Sequence, residues 1–515
     1  ASRPPRAALD HLICTNRTFC TPLIWHSNTV LYAFSMIQVN LMITHPATPA
    51  EAPQRDRDNR TLTRKFYMAA WRWHFYAGLY VVPFLLMLAI TGLTMMYFNV
   101  IETRFGDRIL ASDGPHQSLQ IQADAAAFSL PNATVSQYIA PIEDDLATMF
   151  LVDSGGKQHV VTVDPVTTDI RETIITDDSW FYWASDIHGE LLMGDLGDRL
   201  IEIAAGLGII LIITGLYMWW PRDGKRFASV LWPDFKATRR TFWKELHVTS
   251  GFYISVVLFF FLISGLSWAG IWGGQFVQAW STFPAEKWDN VPLSDDIHAD
   301  MNHGVLHDAP WGLEQTPMPA SGSDAGITGL ADGTPVNLDT VTAFARSIGF
   351  VGQFRVNLPQ GENGVYTLSA DTMSGDSVSP TGDRTIHVDQ YTGKVLANVG
   401  FADYSLGAKS MAVGIALHQG DLGWWNVIAN TLFCLTVIFL CISGIVMWWL
   451  RRPASGSLHL SPPPLPNNLP LWKGAVFMML ALSLAFPLTG ITLVTVLALD
   501  VLIVSNVPVL KRAFG

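Results

Sequence analysis

The chain has 515 residues, of which 50% are hydrophobic and only 15% are charged. This balance excludes an ordinary soluble protein, so membrane spans are the first structures to look for. The net charge of −11 at pH 7 argues against nucleic acid as a partner, because the phosphate backbone selects basic surfaces.

The N-terminal part of the chain fits no element that follows it. Residues 1–41 lack the ordered charged start, apolar run and small-residue cleavage site of a signal peptide, and a start at Met42 would be more natural. We therefore leave this leader out of the fold prediction and expect residues 1–63 to form a disordered tail.

Five stretches are apolar enough to cross a bilayer, which takes about 20 residues as a helix. The apolar cores are 75–98, 200–220, 250–272, 427–450 and 474–499. With their flanks they predict membrane spans at 64–99, 188–221, 243–272, 417–451 and 472–506.

Lysine and arginine mark the cytoplasmic side of a membrane protein, and here they precede the first span and flank the segments 222–242 and 452–471. These two segments are predicted to be a cytoplasmic loop and a proline-rich cytoplasmic linker. We expect a bacterial inner-membrane protein with a cytoplasmic N-terminus. Five spans would leave Lys511 and Arg512 outside, against the same rule.

The long acidic segments 100–187 and 273–416 are predicted to be two extracytoplasmic α/β domains. The first has a helix near 123–128 and strands near 134–139, 147–152 and 158–163. The second has a helix at 338–347 and strands at 352–358, 365–370 and 385–388, followed by a turn at 389–394.

A duplication organises the chain into two copies of span, domain and span. Spans one and three share Trp71, His74, Gly78, Tyr80 and Ile90-Thr91-Gly92-Leu93 against Trp243, His247, Gly251, Tyr253 and Ile263-Ser264-Gly265-Leu266. Spans two and four end in Ile213-Thr214-Gly215-Leu216-Tyr217-Met218-Trp219-Trp220 and Ile442-Ser443-Gly444-Ile445-Val446-Met447-Trp448-Trp449.

Four histidines occupy matching places in this duplication, and neutral imidazole is a good ligand for haem iron. His74 and His247 fall at the cytoplasmic ends of spans one and three, and His188 and His418 fall at the outer ends of spans two and four. Equal depth favours pairing His74 with His247 and His188 with His418. A lone histidine at a helix end more often caps carbonyls or meets lipid headgroups, so the prediction depends on the repetition.

Gly78 and Gly251 each lie four residues after a histidine, on the same helical face, and would let a flat porphyrin lie against the helix. Two axial histidines leave no open position on iron, which favours electron transfer over oxygen chemistry. No catalytic acid or base is assigned, since outer-sphere electron transfer needs none. His303 and His307 are best explained as surface residues, and His298 and His387 are among the histidines that stand alone.

The histidine and glycine pattern, the Trp-Trp endings of spans two and four and the turn at 389–394 resemble the PepSY-associated transmembrane family. The resemblance covers about residues 64–510 and implies PepSY-like extracytoplasmic domains. Within that family, the chain resembles the inner-membrane siderophore reductases. It implies two haem b groups held by His74, His247, His188 and His418.

The resemblance also implies electron flow to a periplasmic ferric siderophore, releasing iron as Fe(II). The chain has no GxGxxG after a strand and no recognisable flavin module, so quinol or another redox protein is the expected donor. Two alternatives stay open: a cytochrome b subunit that serves a partner oxidoreductase, and a non-catalytic PepSY membrane sensor or regulator.

Overall fold

The computed structural model describes residues 52–101, 108–222, 227–277, 290–301, 309–452, 460–464, 470–499, 502–503 and 506–507. The predicted leader, His303, His307, Lys511 and Arg512 lie outside the described residues. The helices are α1 Ala52–Ile101, α2 Leu119–Phe128, α3 Trp180–Glu190, α4 Asp195–Trp219, α5 Arg239–Leu266, α6 Leu338–Ser347, α7 Leu406–Gln419, α8 Trp424–Trp449, α9 Lys473–Ala485 and α10 Pro487–Leu499. The strands are β1 Thr134–Ile139, β2 Thr148–Ser154, β3 Lys157–Val163, β4 Ile170–Ile175, β5 Leu293–Ile297, β6 Pro317–Pro319, β7 Arg355–Asn357, β8 Val365–Ala370, β9 Arg384–Asp389 and β10 Val395–Gly400.

Four helices in the described part of the chain are long and apolar enough to span a membrane: Leu62–Ile101 within α1, and α4, α5 and α8. They form a ring in which α1 and α5 each contact both α4 and α8. Helices α1 and α5 therefore face each other across the bundle, and so do α4 and α8. This diagonal arrangement sets the two duplicated histidine-bearing spans opposite one another.

The prediction that residues 1–63 form a disordered tail is wrong for residues 52–63, because helix α1 already begins at Ala52. Residues 54–77 contain neither glycine nor proline, so nothing in the backbone interrupts a helix there. Proline at position 53 stands at the helix start, where its missing N–H costs nothing.

The predicted fifth span over 472–506 is also wrong, because the chain breaks there into α9 and α10. The break falls at Phe486 and Pro487, and Gly490 packs directly against the backbone of Ser483. Positions seven apart cannot touch in a continuous helix, so the chain turns back as a helical hairpin. Each arm has 13 residues, or about 20 Å, which is shorter than the hydrocarbon core.

The two acidic segments build one sheet domain, not two separate domains as expected. The sheet is antiparallel with eight strands in the order β10-β9-β8-β7-β1-β2-β3-β4. The halves join where β1 pairs with β7, with Tyr138 opposite Val356. Helices α2 and α6 cover a core shared by both halves. Each half is thus one helix followed by four strands, so the duplication extends through the sheet.

The sequence analysis missed the last strand of each half, β4 and β10, although it located the turn that precedes β10. The turns before both strands depend on an aspartate that accepts hydrogen bonds from the second and third backbone N–H groups that follow it. Asp389 accepts from Tyr391 at 2.8 Å and Thr392 at 2.8 Å. Asp164 accepts from Val166 at 2.9 Å and Thr167 at 3.1 Å. The first turn therefore folds like the second despite its different sequence.

Candidate functional site

The four predicted histidines come together as two ring pairs inside the helix ring. The inner pair is His74 and His247, with ring centroids 6.5 Å apart and an interplanar angle of 86°. The outer pair is His188 and His418, with centroids 6.5 Å apart and an angle of 87°. The two pairs are therefore nearly identical in geometry. Whether they hold haem stays a prediction at this point.

Different elements supply the two pairs. His74 and His247 project from the facing spans α1 and α5. His188 and His418 stand in the last turns of the short helices α3 and α7, which end in the left-handed residues Leu191 (φ 54°) and Gly420 (φ 95°). These reversals turn the chain into α4 and α8 and keep the outer rings over the bundle.

Each histidine ring is held through Nδ1 by a hydroxyl group on a neighbouring helix. The contacts are His74 to Thr214 Oγ1 at 2.9 Å, His188 to Thr91 Oγ1 at 2.8 Å, His247 to Ser443 Oγ at 2.8 Å and His418 to Ser264 Oγ at 2.6 Å. All four hydroxyl residues belong to the Thr-Gly and Ser-Gly steps of the repeat. Sequence reasoning used those steps only to align the copies and gave them no role, although Thr91 and Ser264 each follow a histidine by 17 residues, which was a visible signal.

The hydroxyl groups donate their own hydrogen to a helix carbonyl, for example Thr91 Oγ1 to Met87 O at 2.8 Å and Thr214 Oγ1 to Ile210 O at 2.7 Å. They must then accept from the imidazole, which places the proton on Nδ1. With Nδ1 protonated, a neutral ring keeps its lone pair on Nε2.

The glycine after each hydroxyl residue makes room for the ring. A Cβ atom at Gly215 would lie 3.3 Å from Cε1 of His74, and one at Gly92 would lie 3.5 Å from Cε1 of His188. At Gly265 and Gly444 the corresponding distances to the histidine rings are 3.9 and 3.8 Å. The hydroxyl group and the glycine together form a small recess that fixes one edge of each imidazole ring.

The duplication explains how the site is assembled. In the bundle, each of the four histidine-to-hydroxyl contacts joins two helices of the same repeat, whereas each of the two ring pairs joins the two repeats. Each ring pair is thus completed only when the repeats face each other, as in membrane folds that place functional sites between internal repeats.

Gly78 and Gly251 do not touch the rings. A Cβ atom at either position would meet only a leucine methyl, Cδ2 of Leu211 or of Leu440, at 3.9 Å, an ordinary contact distance. The packing of the protein therefore does not require glycine at these two positions.

The two ring pairs lie well apart along the bundle. His74 contributes to the inner pair, and Thr91, which holds the outer His188, follows 17 residues later on α1. At 1.5 Å per residue this separation is about 25 Å. The pairs therefore stand near opposite ends of a bundle whose apolar length is about 30 Å.

The spacing within each pair can accommodate a single metal ion. Two imidazoles bound through nitrogen at about 2.0–2.1 Å have ring centroids about 6.4 Å apart. No group of three or more metal-binding side chains occurs in the described part of the chain. Two protein ligands alone do not satisfy a bare ion such as zinc, which takes four. A macrocycle that supplies the remaining ligands fits the arrangement.

His298 and His387, predicted to stand alone, contact each other in the sheet domain. Their Nε2 atoms are 2.9 Å apart and both side chains are fully buried. His298 Nδ1 donates to Thr316 O at 2.6 Å, and Thr367 Oγ1 lies 3.0 Å from His387 Nδ1. Burial lowers the pKa of His298 to about 4 and that of His387 well below its usual value. All four ring nitrogens of this pair take part in hydrogen bonds within the protein.

The bundle end that carries the inner pair is rich in arginine. The guanidinium groups of Arg240 and Arg451 lie 5.7 and 5.3 Å from the ring of Trp71, one turn before His74. Burial, and then the charge of Arg240, lower the pKa of Arg451. Neither arginine is paired with a carboxylate in the described residues, and the buried Nε of each lacks a hydrogen-bond partner.

The apolar helix ring and the attached antiparallel sheet define an integral membrane protein with a separate sheet domain. The family model of the PepSY-associated TM region matches residues 71–451, and the chain belongs to this family. A comparison with curated proteins gives no match.

Proposed function

We propose that this protein is a di-haem b reductase of the bacterial inner membrane, which passes electrons across the bilayer to a periplasmic ferric siderophore. The observation that carries the proposal is the pair of matching ring sites, each 6.5 Å between centroids, with Nδ1 occupied and Nε2 available. Metal-binding histidines characteristically donate their other N–H to a fixed acceptor, as all four do here.

His74 and His247 are the residues that would hold the inner haem, and His188 and His418 those that would hold the outer haem. The haem would supply reversible one-electron chemistry, and two histidine ligands for each haem would favour electron transfer over oxygen chemistry. Gly78 and Gly251 would present bare backbone to a flat cofactor, and in this structure each leaves room for one methyl group before a leucine methyl is met at 3.9 Å.

The arginines at the inner end fit the same cofactor. A haem carries two carboxylates, and a guanidinium group without an acidic partner favours a carboxylate by charge and geometry. We include Arg240 and Arg451 as the side chains that would meet these carboxylates, since each has a buried Nε without a partner.

The proposed reaction balances with quinol as the donor. One quinol releases two electrons and two protons and becomes quinone, and the two electrons reduce two ferric chelates to ferrous chelates. Hard oxygen ligands hold ferrous iron more weakly, so reduction releases the metal. The protein needs no general acid or base for outer-sphere transfer, and none is assigned.

A reoxidation experiment tests this proposal. The purified protein is reduced with dithionite, the excess reductant is removed by anaerobic gel filtration, and the spectrum is recorded. A ferric hydroxamate siderophore is then added without oxygen while ferrous iron is trapped by a chromogenic chelator. We expect a reduced b-type spectrum, its loss on adding the siderophore, and one ferrous ion per electron removed. A b-type spectrum that persists with the siderophore but disappears with an oxidised redox protein would instead identify the cytochrome subunit. A colourless protein would leave the sensor alternative.

A further inference from the structure

We propose that Thr91, Thr214, Ser264 and Ser443 are positioning residues that set both the orientation of the four histidines and their electron donation to iron. This inference rests on the proposed haem function and extends it. The four hydroxyls lie 2.6–2.9 Å from Nδ1 of their histidines.

The direction of each hydrogen bond gives the hydroxyl its effect. Ser264 donates to Phe260 O at 2.9 Å, and Ser443 donates to Leu440 O at 2.9 Å, so both oxygens are left to accept from imidazole. An acceptor on Nδ1–H fixes the tautomer and makes Nε2 a more basic ligand. The chain from imidazole to hydroxyl to carbonyl also polarises each bond in the same sense.

These contacts are not a general property of hydroxyl groups in the spans. Thr94, Ser255 and Thr436 lie on the same helices and donate to carbonyls of their own helices at 2.9, 2.8 and 2.7 Å. No histidine ring accompanies any of these three bonds in the described residues. Each of the four hydroxyl residues that meet a ring is followed by glycine.

The test compares Ser264→Ala and Ser443→Ala with the control Ser255→Ala, which removes the same atom from α5 away from any histidine. Redox titration followed by optical and electron paramagnetic resonance spectra gives the midpoint potential of each haem, and competition with apomyoglobin gives haem retention. Ser443→Thr serves as the conservative variant, because it keeps the hydroxyl.

We expect Ser264→Ala to raise the outer potential only and Ser443→Ala to raise the inner potential only, because a less basic imidazole stabilises ferric iron less. Haem retention at the altered site should weaken by roughly 10- to 100-fold in either alanine variant. Ser443→Thr should behave like the wild type.

Unchanged potentials and retention in both alanine variants, or equal changes in Ser255→Ala, would overturn this inference while a wild type with two haems leaves the proposed function intact. A wild type that binds no haem would overturn the proposed function and this inference with it.

Discussion

Histidine side chains serve two opposite purposes in this protein. The four in the bundle commit Nδ1 to a hydroxyl and leave Nε2 uncommitted, whereas His298 and His387 use their Nε2 atoms to bond each other at 2.9 Å. The positions of the bundle histidines could be predicted because they occupy matching places in the span motifs of the two repeats. Their hydroxyl partners could not, since a pattern along one helix does not reveal which neighbouring helix it faces.

The buried histidine pair should make the sheet domain sensitive to acid. Both rings have pKa values lowered by burial, that of His298 to about 4, whereas an unfolded histidine titrates near 6.5. The unfolded state therefore binds more protons below pH 6.5, and the stability present above that pH is lost as the pH falls toward 4. Each histidine contributes a slope of up to about 1.4 kcal/mol per pH unit.

Hydrogen exchange of β9 amides at pH 7.0, 6.0 and 5.0 measures this loss. The variant His387→Gln, which keeps a hydrogen-bonding side chain but does not titrate, should show a shallower decline than the wild type. The exposed His116→Gln variant should match the wild type. Equal slopes in all three proteins would contradict the assignment.

At the scale of the elements, the C-terminal hairpin of α9 and α10 is the place where hydropathy alone predicts the wrong structure. Residues 474–499 have the composition of a fifth span, yet Pro487 cannot donate a helix hydrogen bond, and α9 and α10 fold back on each other. Proline is only a partial signal of such a break, because Pro83 lies inside the continuous helix α1 whereas Pro487 begins α10.

The hairpin docks on α4 through a contact that one methyl group would disrupt. A Cβ atom at Gly206 would lie 1.9 Å from Thr489 Oγ1 and 3.0 Å from Thr489 Cβ. We expect Gly206→Ala to weaken the docking by about 1–3 kcal/mol, the usual cost of overpacking. Faster hydrogen exchange across α9 and α10 should report it.

Haem content should not change in Gly206→Ala, because the hairpin supplies no histidine. Adding Thr489→Ala removes the closest clashing atom, so the double variant should regain part of the lost protection. If Gly206→Ala and the wild type exchange at the same rate, the hairpin does not dock at this contact.

At the scale of the whole molecule, the two repeats meet in two places, in the ring pairs of the bundle and at the β1–β7 junction of the sheet. The duplication and most strands could be predicted from sequence patterns. The fusion of both halves into one sheet could not, since alternation of apolar residues identifies a strand but not its neighbour.

The placement of the two ring pairs near opposite ends of the bundle predicts that electrons pass in one direction, from the inner pair to the outer pair. In membrane vesicles with the sheet domain facing outward, an impermeant ferric siderophore added outside should oxidise the reduced protein. In inverted vesicles the same addition should have little effect until detergent is added. Equal oxidation in both orientations would contradict an acceptor site at the outer pair.

Haem stoichiometry in single-histidine variants is the most direct test of the central claim. Pyridine haemochrome assays should give two haems per polypeptide for the wild type and one for each of His74→Ala, His247→Ala, His188→Ala and His418→Ala. The two inner variants should share one residual spectrum and the two outer variants another, with His116→Ala unchanged. Loss of both haems, or of neither, in these variants would contradict the assignment of one cofactor to each ring pair.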